Sequence, residues 1–444
     1  MHLNRIKNLC MPLLVVCAAM NFYASGQVVS ATDTLELNIT QLFELGVSNN
    51  LQLSADRLQE RIAEERSKIA RMSMLPNIEI GLQAGIIGQP VVFQRGLSDP
   101  TRPETPDWQQ NYVIDFTQPL YEGGRIKYKM KSADIDREIA SLQTASDEAD
   151  LKIELLRQYL SLFSLYKQHF VLVRNIEESE HRLRDIRRLK EEGVITNNDV
   201  LRSEMQLTDN RLSLVQTEND MRLVSQQLDI LLGLDENLLL RPDTTLLKQV
   251  YELESYEDYV TRAYFNDPSM LLLQQHTAQA RNNIALTKAD YMPRLSLYAS
   301  NALARPIART MVDMYNNTWN IGLSFTYSLS SLYSNRHKVK EARHNLLLTQ
   351  NREEQRKQSI RINVRNAYLR HGEAIERVEA LKLSVKQAEE NYRIMRNRYL
   401  NQLAILTDLL DADNLRLNAE LQLTTARTQV VLTYYELQRA VGNL

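Results

Sequence analysis

The chain has 444 residues, with 53 Lys and Arg against 55 Asp and Glu and a formal net charge of −2, a balance that excludes a basic nucleic-acid footprint as its main theme. No run of about 18 apolar residues exists, so no transmembrane helix is available to the mature chain. Only 13 glycines in this length mark a helix-dominated protein with local exceptions.

Residues 1–26 read as an export signal. His2, Arg5 and Lys7 open it, Leu9 to Met20 is apolar, and Ala24-Ser25-Gly26 offers small residues for cleavage before Gln27. Both cysteines, Cys10 and Cys17, lie inside it. Cleavage before Cys17 with a lipid anchor is the less favoured alternative, because Val16 fits a cleavage position poorly. After removal at Gln27 the chain carries no cysteine and 51 basic residues against 55 acidic ones.

The stretch "TLELNITQLFELG" (34–46) leads to a break at Asn49-Asn50 and then to a helix that runs into "SMLPNIEIGLQAG" (73–85). From 77 the pattern changes period. Ile78, Ile80, Leu82, Ala84 and Ile86 alternate with Glu79, Gly81, Gln83 and Gly85, and Tyr112, Ile114 and Phe116 alternate with Val113, Asp115 and Thr117. A two-residue period puts one chemistry on each face of a strand. The run "GLQAGIIG" (81–88) is not a phosphate loop, since no helix follows it. Long polar loops are expected at 87–110 and 303–317, with short turns at the opposite end. After an export signal, that asymmetry favours outer-membrane strands over a half-buried soluble sheet.

A helix is expected from Glu122 to about Glu192, a stretch without proline, then a break at "EEGVITNNDVL" (191–201) and a second helix over 197–233. Such a helix would be about 105 Å long. The segment 234–259 reads as an irregular connection, interrupted at Pro242 and then helical. After another break at Asn266-Asp267-Pro268, the second half restates the first: Leu295, Leu297 and Ala299, then Trp319, Ile321, Leu323, Phe325 and Tyr327 alternate with small or polar residues. A long helix follows over 332–401, a break at "NQLAILTDLL" (401–410), and a helix over 404–441. Its seam, Val378, Leu381, Val385, Ala388, Tyr392, Met395 and Tyr399, is a heptad. The equivalent first-half positions are His169, Leu172, Ile176, Ser179, Leu183, Ile186 and Lys190. Phe116, Asp199 and Gly233 match Phe325, Asp408 and Gly442 at an offset of 209 residues, while Pro76 matches Pro293 at 217.

The division expected is therefore 27–233 as a first structural repeat (β-hairpin 77–120, helical hairpin 122–233), 234–259 as an equatorial connection, and 260–444 as a second repeat (β-hairpin 294–328, helical hairpin 332–441). Four strands cannot close on themselves, and an open edge in lipid leaves backbone groups unpaired. The missing strands must come from further copies of the chain. No catalytic, cofactor-binding or metal-binding constellation is visible. The histidines, among them His337 and His344 seven apart, lack ligand spacing. Charge runs such as "HRLRDIRRLKEE" (181–192) fit a solvated helix face or a docking surface.

This order of elements, with "QPLYEGGR" (118–125) and "ILTDLLDADNLRLNAELQL" (405–423), resembles the outer membrane efflux protein family over nearly the whole mature chain. The resemblance implies an α+β membrane protein: long helical hairpins forming a periplasmic α-barrel, and four strands per chain in a trimeric twelve-stranded transmembrane β-barrel. It implies a homotrimer in outer-membrane lipid, a periplasmic membrane fusion (adaptor) protein and an inner-membrane pump of RND, ABC or MFS type, and a passive exit duct for efflux or type I secretion. It also implies a periplasmic gate at Asp408 and Asp411, the family's D-x-x-D pattern, with Asp199 and Tyr399 beside it. Read from the residues alone, Tyr399 sits on the heptad and packing in the seam is its favoured role, while Asp408 supporting the first turn of its helix and Asp411 facing solvent is the alternative for the pair. The family's arginine partner falls on Ala404. A periplasmic coiled-coil adaptor or scaffold is the alternative; an adaptor has one helical hairpin flanked by soluble β modules, whereas two hairpins are expected here.

Overall fold

The computed structural model describes residues 34–89, 91–102, 104, 106–236, 238–243, 253–307 and 312–444. The expected export signal, with Cys10 and Cys17, lies outside them. In chain order the elements are β1 (Thr34–Leu37), α1 (Ile39–Asn49), α2 (Leu51–Met72), β2 (Asn77–Ile86), β3 (Val92–Arg95), β4 (Ser98–Thr101), β5 (Trp108–Tyr121), α3 (Arg125–Glu191) and α4 (Asn197–Leu232). The second half supplies β6 (Leu239–Pro242), α5 (Tyr256–Asn266), α6 (Pro268–Lys288), β7 (Arg294–Arg305), β8 (Asn316–Thr326), α7 (Ser331–Leu400) and α8 (Leu406–Val441).

The four shorter helices α1, α2, α5 and α6 begin where a side chain satisfies a free amide. Asn38 and Asn50 cap α1 and α2, and Ser255 and Asp267 cap α5 and α6. Each second-half cap stands 217 residues after its first-half mate, so the repeat reaches the capping chemistry. Helices α3 and α7, at 67 and 70 residues, contain neither proline nor, apart from Gly372, glycine. Each is about 100 Å long at about 1.5 Å per residue.

The two long helices run the full height of the wall, and shorter helices stack beside them. Near the sheet α3 lies between α2 and α6; toward the opposite end it lies between α4 and α8, with α7 beyond α6 and α8. This placement explains the two seams. On α7, where α8 is the neighbour at the lower end, the seven seam positions from Val378 to Tyr399 are shielded while almost every residue between them is exposed. On α3, with neighbours on both sides, Leu172, Ser179, Leu183 and Ile186 are buried and so is a second row, Asn175 and Arg182. The seam residues Ile176, Leu183, Ile186, Tyr392, Met395 and Tyr399 meet in one core within a single chain.

The principal sheet has the order β2-β5-β7-β8, antiparallel throughout. Its register brings Ile78, Phe116, Ala299 and Ile321 into one row and Glu79, Asp115, Ser300 and Asn320 into the next. One face is therefore apolar, with Ile80, Leu82, Trp319, Leu323 and Phe325 all exposed, and the other is polar or small apart from Val113 and Tyr298. Among the described residues β2 and β8 each keep one unpaired edge. No described helix is long and apolar enough to cross a membrane.

Two local expectations are corrected. The polar loops are shorter than read: β5 starts at Trp108, paired with Ile86, and β7 reaches Arg305, because a strand lined by Gln109, Gln110 and Asn111 continues its ladder without apolar alternation. Within the first loop β3 and β4 pair as a small hairpin. The stretch around Pro242 is not irregular but is strand β6, parallel to β1, with the proline at its last position, where a missing amide is tolerated. The hydroxyl of Tyr159 on α3 ties this pair down: it donates to Leu37 O at 2.7 Å and accepts from Asp243 N at 2.9 Å. Leu42, Leu155, Leu156, Leu228, Leu232 and Leu240 fill the core beneath it.

Candidate functional site

The wall ends, away from the sheet, in two turns built alike. Val194 N donates to Leu189 O at 2.9 Å and, 209 residues later, Leu403 N donates to Arg398 O at 2.8 Å. Both turns need a left-handed residue: Gly193 has φ 74°, and its mate is Gln402 with φ 61°. A side chain in that region costs about 1 kcal/mol or more, which glycine avoids.

The helices leaving these turns differ in their chemistry. At the start of α4 the amide and hydroxyl of Thr196 both donate to the Asp199 carboxylate, at 3.0 and 2.7 Å. At the start of α8 the cap position is Ile405, which has no hydroxyl, and no side chain caps the helix. Asp408, the mate of Asp199, is exposed and forms no ion pair or hydrogen bond with described residues. Asp411, one turn on, is exposed and equally unpaired. At a spacing of three residues the two carboxylates share one face of α8.

Beneath them Leu183, Ile186, Val200, Leu207, Leu406, Leu409 and Tyr399 form an apolar core joining all four helices. Tyr399 is 8% exposed and its hydroxyl has no hydrogen-bond partner among the described residues. Burial, and then the charge of Asp199, push that hydroxyl above the ordinary tyrosine range.

The next layer is polar, with Arg182 and Asp413 buried and Arg416 nearly so. Asp413 on α8, with a side chain 4% exposed, receives Arg182 of α3 at 2.8 Å and Arg416 at 2.9 Å. Arg416 also reaches Glu178 at 2.6 Å and lies 4.4 Å over the ring of Tyr392 on α7. Arg182 donates further to Ser179 at 2.9 Å and Tyr392 at 3.4 Å. Asn210 of α4 donates to Asn175 at 2.7 Å, and Asn175 approaches Asp413 at 3.5 Å. Burial works against the Arg416 charge, yet Glu178 and Asp413 hold its guanidinium more firmly protonated than usual. Burial, reinforced by the Asp413 charge, raises the Tyr392 hydroxyl above its ordinary range.

Of the four residues singled out from sequence, then, Tyr399 and Asp199 lie together at the tip, Asp199 engaged in its helix cap. Asp408 and Asp411 are exposed carboxylates with no ion pair or hydrogen bond to described residues. Sequence reading missed the cluster of Arg182, Asp413, Arg416, Glu178 and Tyr392. A signal for it existed in Asn175 and Arg182, polar residues seven apart that run beside the apolar seam. Asp413 is two residues from Asp411, about 200° around the helix, and so faces inward.

A sheet apolar on one face and polar on the other, open at both edges, and set on a helical wall about 100 Å tall defines the protomer of an outer-membrane channel. The chain belongs to the outer membrane efflux protein family, whose model matches residues 43–234 and 260–443. Its place is the outer membrane, with the helices extending into the periplasm. The outer membrane protein TolC of Escherichia coli (strain K12) is 26% identical over 188 residues, a match covering 40% of this chain and 38% of that protein's length. The proteases secretion protein PrtF of Dickeya chrysanthemi is 20% identical over 416 residues, covering 92% of this chain and 88% of PrtF. The solved structure of CusC, which forms a transmembrane channel, superimposes with a TM-score of 0.78 at 14% identity, over 91% of this chain and 92% of that one.

Proposed function

We propose that this chain is one protomer of a trimeric exit duct, the outer-membrane component of a tripartite efflux or type I secretion system. The observation that carries the reading is the sheet β2-β5-β7-β8 with its two open edges. Pairing β8 of one copy with β2 of the next would satisfy both edges, and three copies of four strands would give a closed barrel of twelve. A closed barrel is the one way such a sheet can sit in hydrocarbon. A second observation supports the assembly. Leu348, Ile362, Leu369, Leu383 and Ile394 leave an exposed apolar stripe along α7, on the side away from its seam with α8, where a neighbouring copy would cover it.

In this reading the lumen is lined by the polar face of the sheet and continues down the helical tube. Asp408 and Asp411 narrow its periplasmic end, where three copies would bring six carboxylates together. Like charges so placed repel one another and attract multivalent cations. The duct itself carries out no chemical step. An adaptor protein would open it from the periplasm and an inner-membrane pump would supply the energy. The exported unit begins near residue 27, with repeats over 27–233 and 260–444 about the connection at 234–259.

Purified protein should run as a heat-resistant trimer and form low-conductance, cation-selective pores in planar bilayers; a monomeric, non-conducting product rules the duct out. Asp408→Asn with Asp411→Asn should weaken block by multivalent cations. Unchanged block removes these residues from the gate while leaving the duct standing.

A further inference from the structure

The wall just below the strands carries a repeated feature of charge. Lys127, Lys129 and Lys131 on α3 are matched, at the 209-residue offset, by Arg336, Lys338 and Lys340 on α7. All six are exposed, and none forms an ion pair or hydrogen bond with described residues. No acidic residue occurs over 123–133 or 328–340. Their neighbours behave differently: Arg125 pairs with Asp290, and Arg71 with Asp134 at 3.2 Å.

Depth fixes what these cations can meet. Helix α3 starts at Arg125, directly after β5 ends at Tyr121, and α7 starts at Ser331, after β8 ends at Thr326. At about 1.5 Å per residue the three first-half cations stand roughly 3–9 Å into their helix and the second-half ones roughly 8–14 Å. The headgroup zone on one side of a bilayer is roughly 5–8 Å deep, and long basic side chains bridge the remainder by snorkelling.

Helical geometry separates them into two sets. Lys127 and Lys131 share one face of α3, with Lys129 on the opposite side; Arg336 and Lys340 share one face of α7, with Lys338 opposite. Leu332 and Tyr333, 53% and 73% exposed, precede Arg336 and Lys340 on that same face. Exposed apolar side chains that give way to cations within two turns suit a surface leaving hydrocarbon for headgroups, whereas a water-filled lumen gives Leu332 and Tyr333 nothing to pack on.

We propose that Lys127, Lys131, Arg336 and Lys340 form a band that binds the phosphate groups of anionic phospholipids in the periplasmic leaflet of the outer membrane. The proposal rests on membrane insertion, and not on the cargo or gate of the duct.

The test uses full-length protein in nanodiscs that mix phosphatidylglycerol with phosphatidylcholine, followed by detergent extraction and counting of co-purified lipid. Wild-type protein should retain phosphatidylglycerol over phosphatidylcholine by about fivefold or more. The preference should shrink as salt rises toward about 1 M, where screening acts within about 3 Å, and excess inorganic phosphate at constant ionic strength should leave it intact. The variant Lys127→Gln/Lys131→Gln/Arg336→Gln/Lys340→Gln should lose the preference while keeping its pore conductance. Lys129→Gln/Lys338→Gln, on the opposite faces, should keep it. Equal retention of both lipids by wild type overturns the proposal whether or not the quadruple variant assembles, as does a quadruple variant that retains wild-type preference. Displacement by inorganic phosphate would identify a free-anion site and also overturn it. Loss of conductance in wild type would instead count against the duct.

Discussion

Asp413→Ala would remove the one carboxylate that faces both buried arginines of the tip. The structure ranks the consequences. Arg182, with a side chain 8% exposed, loses its 2.8 Å ion pair and keeps only neutral partners, Ser179 and Tyr392. Arg416 keeps Glu178 at 2.6 Å. One buried guanidinium is thus left uncompensated, and breaking a buried pair from one side costs about 3–5 kcal/mol. Glu178→Ala leaves Arg416 paired with Asp413 at 2.9 Å, and Glu178 is itself part-exposed, so its loss costs closer to 1 kcal/mol. The assay is hydrogen exchange by mass spectrometry on full-length protein in detergent, following peptides across 175–190 and 406–420. Asp413→Ala should speed exchange there by about two to four decades, at about 1.4 kcal/mol per decade, and leave the equatorial peptides around 155–163 unchanged. Arg182→Met with Asp413→Leu should recover most of the loss, since an apolar pair of similar volume avoids the desolvation that the ion pair suffers. Acceleration by less than about fivefold, or equal effects of Asp413→Ala and Glu178→Ala, would refute the view that Asp413 holds the tip together.

Three further outcomes follow from single positions. Gly442 ends α8 at φ 81°, and an added Cβ would lie 2.4 Å from Asn266 O; Gly442→Ala should cut the yield of folded protein severely, measured by the fraction surviving heating. Asp229 is fully buried, with neither oxygen hydrogen-bonded to a described residue, and burial, with a smaller push from Asp235, raises its carboxyl to about 7. The folded chain therefore holds this proton more tightly than the unfolded chain, and stability present below pH about 4 is lost as pH rises through about 7. Asp229→Asn should raise thermal stability most above pH 7 and by a shrinking amount toward pH 4; a gain independent of pH contradicts the assignment. Thr196→Ala removes one of the two donors to Asp199 and should weaken the first turn of α4 by about 1 kcal/mol, visible as faster exchange confined to peptides near 197–203.

Much of this molecule was legible because two periods, two and seven, run uninterrupted for long stretches. The alternation of Ile78 to Ile86 places β2 at its observed bounds, and the heptad from Val378 to Tyr399 marks the shielded positions of α7. What stayed hidden depends on contacts between distant residues. Strands β1 and β6 are four residues each, too short for a period to register, and their parallel pairing spans about half the chain. The Arg182–Asp413 pair joins α3 to α8, and nothing in "DLLDADNLR" alone distinguishes the inward Asp413 from the outward Asp411. That distinction requires the angle at which α8 sits against α3.

The same comparison of halves yields a last prediction, because the tips agree in backbone and differ at the capping position, Thr196 against Ile405. Thr196 occupies Asp199 through two hydrogen bonds; Ile405, at the matching position and 66% exposed, cannot use its side chain in the same way, and Asp408 stays unpaired. Ile405→Thr should therefore rebuild the first-half cap in the second half. Helix α8 should gain up to about 1 kcal/mol in its first turn, read as slower exchange near 406–412. The Asp408 carboxylate, now drawn toward its own helix start, should bind multivalent cations less well, so that pore block weakens in the direction expected for Asp408→Asn although no charge has been removed. If exchange slows while block is unchanged, the cap forms and Asp408 plays no part in cation binding. If neither changes, the second tip does not reproduce the local geometry of the first, and the repeat is one of fold without shared capping chemistry.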